Sequence, residues 1–267
     1  MATKTAVKTE SVGIEVPTLQ TREAMFFVRG NTPFIMSRMS EKAKRQLLLP
    51  SGRKTTAERS NSLKHDPLGE FQDAPYTLPE DYETLLATPA SAFKHGMLLA
   101  ALRIPGVRKT EISQLLWVDG DLVPVWGVPN MLMSVVRSAD MNKTPDIRTR
   151  CIVPEWATVI RVTYVYPVLN ESSVTNLLVT AGLLSGIGDW RPQKGSGNYG
   201  QYFVTREDDP DFKRILASGG REAQLSAMNN PVMYDKDSAD LFQWYMGEIR
   251  SRGKAAEVTA PMTLAAD

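Results

Sequence analysis

Residues 182–205 read "GLLSGIGDWRPQKGSGNYGQYFVT". Six glycines, Arg191 and Lys194 sit here between an apolar helical pattern and a short strand, "QYFVT", and that placement excludes the common nucleotide loops. "GSGNYG" (195–200) matches G-x-G-x-x-G literally, but a dinucleotide fingerprint needs a strand before it and a helix opening at its last glycine. Here the order is reversed. A protein-kinase glycine loop does lie between strands, yet the chain contains no H-R-D or D-F-G to hold magnesium and the substrate hydroxyl. A P-loop requires Lys followed by Ser or Thr, and Lys194 is followed by Gly195. Two readings remain. In one, glycine-dense backbone brings N–H groups close to a polyanion, Arg191 and Lys194 add charge, and the interleaved Trp190, Tyr199 and Tyr202 stack bases. In the other, the rings belong to the core and the glycines permit a tight crossing beside a strand.

Working outward, "ESSVTNLLVTAGLLSG" places Val174, Leu177, Leu178 and Ala181 on one helical stripe. Before it, "PEWATVIRVTYVYPV" alternates as a strand with Ile160, Val162, Tyr164 and Tyr166 on one face. "EAMFFVRG" (23–30) is a strand closed by "GNTP", and Ser91 is the expected N-cap of "AFKHGMLLAALR", whose Phe93, Met97 and Ala100 repeat at helical spacing. Two apolar runs around Asp119-Gly120-Asp121 in "QLLWVDGDLVPVWG" (114–127) give a hairpin signal. "SADLFQWYMGEIRSRG" predicts a C-terminal helix with Leu241, Trp244, Tyr245 and Glu248 on one stripe. The order of elements predicts an α+β fold: a ferredoxin-like (RRM-like) β-α-β-β-α-β sandwich with large insertions at about 37–88 and 104–150 and a C-terminal helix. One domain over 20–253 is expected, between flexible tails at 1–19 and 254–267.

Composition narrows the classes. With 42% apolar residues in 267, the chain can bury a sizeable core. No apolar run approaches the roughly 18 residues that cross a bilayer, and "MATKTAVKTESVG" lacks a secretory apolar core, so a cytoplasmic protein is expected. A single cysteine, Cys151, and two histidines, His65 and His95, leave no disulfide and argue against a structural metal; no cofactor is expected. The net charge of +1 gives no long-range basic field. Distribution is more informative. Arg38, Lys42, Lys44, Arg45, Arg53, Lys54, Arg59 and Lys64 face only Glu41 and Glu58 between 38 and 65, and Arg137, Lys143, Arg148 and Arg150 follow later. Each cluster taken alone reads equally well as a solvated face.

Two motifs point to a family. "PASAFKHGMLLAALR" is similar to a P-G-S-S-x-K-G-x-x-R helix opening, with Pro89, Ser91, Lys94 and Arg103 in comparable places. "GIGDWRPQKGSGNYGQYFV" is similar to a glycine-rich loop that follows the second helix of the sandwich and runs into its last strand. Together with the long insertions they resemble the RAMP superfamily, the RNA-binding subunits of CRISPR effector complexes, and in particular the backbone subunits that polymerise along a guide RNA. A phage-encoded relative fits the same pattern. The resemblance spans most of 20–205; residues 206–253 have no counterpart in it, and "TPDIRTR" (144–150) matches none of its motifs.

The resemblance implies noncatalytic coating of single-stranded nucleic acid, RNA favoured, by copies stacked head to tail within a ribonucleoprotein. It further implies an inserted thumb between bases, either 114–127 or 37–88. Arg191, Lys194 and the backbone of Gly186, Gly188, Gly195, Gly197 and Gly200 are expected on phosphates. Lys94, Arg103, Arg148 and Arg150, and Lys42, Lys44 and Arg45 from the first insertion, are expected to add charge along the groove. Three alternatives stand: a phage single-stranded DNA-binding or annealing protein, a metal-independent endoribonuclease around His95 beside Lys94, and a structural assembly subunit. His65-Asp66 is a weaker candidate for strand cutting.

Overall fold

The computed structural model describes residues 18–39, 41–49, 65–137, 145–194, 197–251 and 263–264. In chain order the elements are β1 (Gln20–Gly30), β2 (Phe34–Met36), α1 (Glu41–Leu48), α2 (Pro67–Asp73), β3 (Tyr76–Thr77), β4 (Leu86–Pro89), α3 (Ala90–Ala101), α4 (Lys109–Leu115), β5 (Leu116–Val118) and β6 (Leu122–Pro124). There follow β7 (Asn130–Arg137), β8 (Pro145–Val153), β9 (Ala157–Tyr166), α5 (Glu171–Leu184), β10 (Tyr202–Thr205), α6 (Pro210–Ser218), α7 (Arg221–Asn229), β11 (Val232–Met233), α8 (Lys236–Ser251) and β12 (Thr263–Leu264). The last of these, inside the stretch expected to be a tail, pairs in parallel with β11. Among the described residues no helix is long and apolar enough to cross a membrane.

The α+β architecture grows from one long ladder. β1 and β9 pair antiparallel from Gln20↔Tyr166 to Arg29↔Ala157, and burial alternates along them, with Phe26, Val28, Ile160 and Val162 on a shared buried face. β10 pairs with the free side of β1 and β5 with the free side of β9, giving the order β10-β1-β9-β5. Read along the chain, β1, α3, β5, β9, α5 and β10 have the strand-helix-strand-strand-helix-strand order expected from the sequence. Both helices cover the same face. Phe93, Met97 and Ala100 of α3 and Val174, Leu177, Leu178 and Ala181 of α5 enter one core with the buried residues of the sheet. Asn170 caps α5 by accepting from Ser173 N at 2.8 Å.

Three expectations need correction. Helix α3 begins one residue before Ser91. Pro89 occupies the cap without a side-chain hydrogen bond, because the first amide, Ala90 N, donates to Asp121 O at 2.9 Å. The 114–127 stretch is not a hairpin: β5 pairs with β9 and β6 with β4, so the Asp119-Gly120-Asp121 turn hands the chain from one sheet to another. Thr163 Oγ1 donates to Asp119 Oδ1 at 2.9 Å, which fixes that turn to β9 instead. Finally, α8 buries Ser238, Ala239, Phe242 and Ile249, a stripe rotated from the expected one, and leaves Trp244 63% exposed.

The second sheet, β12-β11-β7-β8-β2, holds the long antiparallel pair β7–β8, from Asn130↔Ile152 to Arg137↔Pro145. Its residues Met131 and Met133 face the main core and Leu132 faces a satellite cluster, so both sides of the strand are covered. The third sheet is β3-β4-β6. Gln224 of α7, fully buried, binds its neighbourhood together. Leu85 N and Leu86 N donate to its Oε1 at 2.7 and 2.9 Å, and its Nε2 donates to the carbonyls of Val125, Gly127 and Gly219 at 2.8, 3.1 and 2.8 Å. A Gln224→Leu change removes the partner of the Leu85 and Leu86 amides and of the Val125 and Gly127 carbonyls, while Gly219 O keeps Gly127 N at 2.9 Å, and the cost is about 1–3 kcal/mol for each buried group left unsatisfied. Urea denaturation is expected to show a loss of at least about 3 kcal/mol; a loss below about 1 kcal/mol would show that the hub is redundant.

Candidate nucleic-acid interface

The stretch between α5 and β10 packs against β2 through its backbone. Asp189 N donates to Ile35 O at 3.0 Å and Gly200 N donates to Pro33 O at 2.8 Å, while Ile187 N donates to Gly200 O at 2.9 Å. The glycines are required by these approaches. At Gly188, with φ 79°, a Cβ would lie 2.4 Å from both Ile35 O and the Phe34 ring, and at Gly200, with φ 69°, 1.9 Å from Ile187 O. At Gly197 a Cβ would lie 1.7 Å from Trp190 O, whereas at Gly186 the approach is looser, 3.1 Å to Gly200 O and 3.2 Å to Tyr199 O, and the positive φ of 62° is what favours glycine. The expectation that glycine N–H groups serve phosphates is therefore corrected at two positions: Gly186 N donates to Ala181 O at 2.9 Å and Gly200 N to Pro33 O. Gly195 lies outside the described residues.

The side chains of the loop do converge on a cleft of about 420 Å³. Arg148 of β8, Arg191 and Lys194 line it together with Gly188, so four of the expected site residues from two distant segments meet there. The opposite wall is Tyr76 of β3, Thr88 and Pro89 of β4, and Ala92 in the first turn of α3, with Ser37 just past β2. The uncapped N-terminal turn of α3 adds the positive end of its macrodipole at this border. Arg191 is held in position: its Nη1 donates to Gly188 O at 2.7 Å and its Nε to Gln193 Oε1 at 2.9 Å, across the short 3₁₀ turn Pro192–Lys194.

Arg150 corrects the expectation made of it. The side chain is only 3% exposed, Nε donates to Asp189 Oδ2 at 2.9 Å, Nη1 donates to Ser134 Oγ at 3.1 Å, and the guanidinium lies 4.6 Å from the Trp190 ring centroid. Burial pushes it below the usual arginine range, and Asp189 opposes that shift. Its charge is thus matched inside the protein, and so is that of Asp189, the one carboxylate lining the cleft among the described residues. What remains facing the cavity is the positive charge of Arg148, Arg191 and Lys194.

The other expected residues lie elsewhere. Lys94 points toward the edge strand, its Nζ 5.9 Å from the Trp117 ring centroid. Arg103 is exposed beyond Ala101, at the far end of a helix about 18 Å long. Lys44 and Arg45 belong to α1 and do not line the cleft, and the side chain of Lys42 is outside what is described. Tyr202 is buried in the core, edge-on to Phe93 and Trp156, and cannot stack a base. Trp190 and Tyr199 are half-buried against Ile35, Leu132 and Ile152. Neither histidine lines the cleft: His95 is exposed on α3, and His65 is fixed by Glu70 at 2.9 Å and Asp146 at 3.1 Å. The residue that sequence reasoning missed is Tyr76, 36% exposed, with the Arg38 guanidinium 5.5 Å from its ring centroid. Its Pro-punctuated surroundings, "DAPYTLP", give no sign that it borders the loop.

No family model matches the chain, and no curated protein matches it. Among solved structures, a chain from the cryo-EM structure of the Type III-B Cmr-beta bound to cognate target RNA aligns with a TM-score of 0.36 and 12% identity. The alignment covers 70% of this chain and 59% of that one, so this chain spans less than two thirds of its length. At that level of likeness the functional reading rests on the cleft instead.

The ion pair beneath the loop is testable separately from binding. Asp189→Asn leaves the Arg150 guanidinium buried without its counter-charge, a type of change that costs about 3–5 kcal/mol. Urea denaturation is expected to show most of that loss, whereas Arg148→Gln, at an exposed position on β8 two residues before Arg150, should leave stability within about 0.5 kcal/mol.

Proposed function

We propose that the protein binds single-stranded nucleic acid, with the sugar–phosphate backbone in the cleft bordered by Arg148, Arg191 and Lys194. The observation that supports this most is their convergence around a cavity whose only lining carboxylate among the described residues, Asp189, is neutralised by Arg150. Three cations with a helix N-terminus beside them suit a run of phosphates. Tyr76 on the opposite wall, half-open to solvent, suits stacking by an unpaired base. A duplex hides its base faces, so an aromatic platform favours a single strand.

RNA is the favoured strand, from the family resemblance and from the exposed hydroxyl-bearing Ser37 on the wall, suited to a ribose 2′-OH. The proposed role is noncatalytic binding, which the sequence resemblance supports; the carboxylate of the cleft, Asp189, is engaged by a buried arginine. Coating of a strand by head-to-tail copies, as part of a cytoplasmic ribonucleoprotein, completes the reading; its support is the sequence resemblance.

Fluorescence anisotropy with labelled oligouridylate and the matching deoxy-oligonucleotide, over a series of salt concentrations, tests the cleft. Arg191→Ala combined with Lys194→Ala is expected to weaken binding to all sequences alike and to flatten log K against log salt by roughly 0.7 for each phosphate no longer neutralised. Unchanged affinity and slope in that variant would remove the cleft from the site. Tyr76→Ala is expected to weaken binding by about 1–3 kcal/mol with the salt slope intact. Tighter binding of the deoxy strand would overturn the RNA preference while leaving the cleft in place.

A further inference from the structure

The loop that borders the cleft also borders a second cavity, of about 610 Å³, on which the nucleic-acid reading makes no demand. Gly188, Asp189, Arg191 and Lys194 line the cleft, whereas Trp190 and Tyr199 line this second space. Its third aromatic wall is Trp244 of α8, and its carboxylates are Asp235, Asp237 and Asp240. Among the described residues no lysine or arginine lines it. Trp244, 63% exposed, forms one aromatic-lined cavity with the half-buried Trp190 and Tyr199, while α8 packs on the core through Phe242 and Ile249.

The chemistry of the walls selects the ligand. A phosphate-bearing strand is repelled by the carboxylates, and a neutral apolar group would desolvate them without return. A cation with a flat, weakly hydrated head satisfies both kinds of wall, because indole faces attract it and carboxylates accept its N–H groups. The carboxylates are only partly accounted for by the helix. Asp235 caps α8 by accepting from Ser238 N at 2.8 Å, and one cap suffices. Asp240 lies 3.4 Å from Lys236, but both side chains are largely exposed, 60% and 85%, so that pair yields easily to a competing cation.

We propose that this cavity docks an arginine-bearing stretch of a partner polypeptide, the guanidinium against the Trp244 indole and its N–H groups on Asp237 and Asp240. The occupant is chosen by charge complementarity, and the inference stands whether or not the cleft binds nucleic acid.

A fluorescein-labelled tetra-arginine peptide is the probe, with tetraglutamine as the uncharged control. The intact protein is expected to bind the first and not the second. Trp244→Ala, and separately Asp237→Asn with Asp240→Asn, should each weaken tetra-arginine binding roughly five- to tenfold. The exposed pair Glu207→Gln with Asp208→Asn, outside the cavity, should leave it unchanged, and oligouridylate affinity should stay within about twofold in all three variants. All the substituted side chains are exposed, and far-ultraviolet circular dichroism checks that each variant folds. Equal losses from the Glu207/Asp208 variant would reduce the effect to diffuse electrostatics and overturn the proposal. So would tetra-arginine binding indifferent to Trp244→Ala, or a loss of oligouridylate binding in that variant, which would make the cavity part of the strand path. Self-association of the free protein that disappears with Trp244→Ala would assign the cavity to a second copy and equally overturn it.

Discussion

A guanidinium buried beneath a glycine loop is the constraint on which the functional face depends. Moving an arginine out of water costs several kcal/mol unless its charge and its N–H groups are met. Arg150 is met by Asp189, by Ser134 and by the face of Trp190, and two of those partners belong to the loop. The ion pair therefore fixes the loop against β8, and hydrogen bonds to Ile35 and Pro33 fix it against β2. Trp190 accepts a positive φ of 51°, unusual for a bulky residue, as part of the same arrangement. With the backbone so determined, Arg191 faces one cavity and Trp190 the other.

That division has a thermodynamic side. Residues adjacent in the chain contribute to two separate cavities of opposite charge. The Arg191 guanidinium is anchored at 2.7 Å to the carbonyl of Gly188, two residues before Trp190, so the two cavities have walls in one hydrogen-bonded turn. Whatever free energy one ligand contributes to the other's binding is returned equally in the opposite direction.

Of the two readings that the glycine loop leaves open, the structure shows the tight crossing and sets Arg191 and Lys194 at a cleft beside it, and the reason the sequence fits either reading is physical. Glycine is chosen wherever backbone must approach something closely, and the sequence is the same whether that something is a ligand or Ile187 O. Helix α5 is legible because Val174, Leu177, Leu178 and Ala181 face a single core, and β9 because its alternation matches one buried face. The β7–β8 pair is not, since Met131, Leu132 and Met133 are buried on both sides and show no alternation. Arg148 and Arg150 share a face of β8 and differ only in depth, one open to the cleft and the other enclosed, and periodicity is blind to depth. Trp244 reads as core from its apolar mass, although Phe242 two positions earlier supplies the packing. Tyr76 becomes part of the site through pairing of β3 with β4, a contact between short strands with no local signature.

Gln224 bears on how the chain can be dissected. The segment after β10 lies outside the stretch from which a sandwich is expected in the sequence, which invites its treatment as an appendage. Yet the amides of Leu85 and Leu86, at the start of the strand that supplies Thr88 and Pro89 to the cleft wall, have their partner in that segment. Arg221 likewise donates to the carbonyls of Pro79 and Thr84, at 2.7 and 2.8 Å. A fragment ending after β10 would retain every strand of the central sheet and still lose the scaffolding of its own cleft. The scaffold of the cleft therefore extends beyond the sandwich, into the C-terminal helices that carry Gln224 and Arg221.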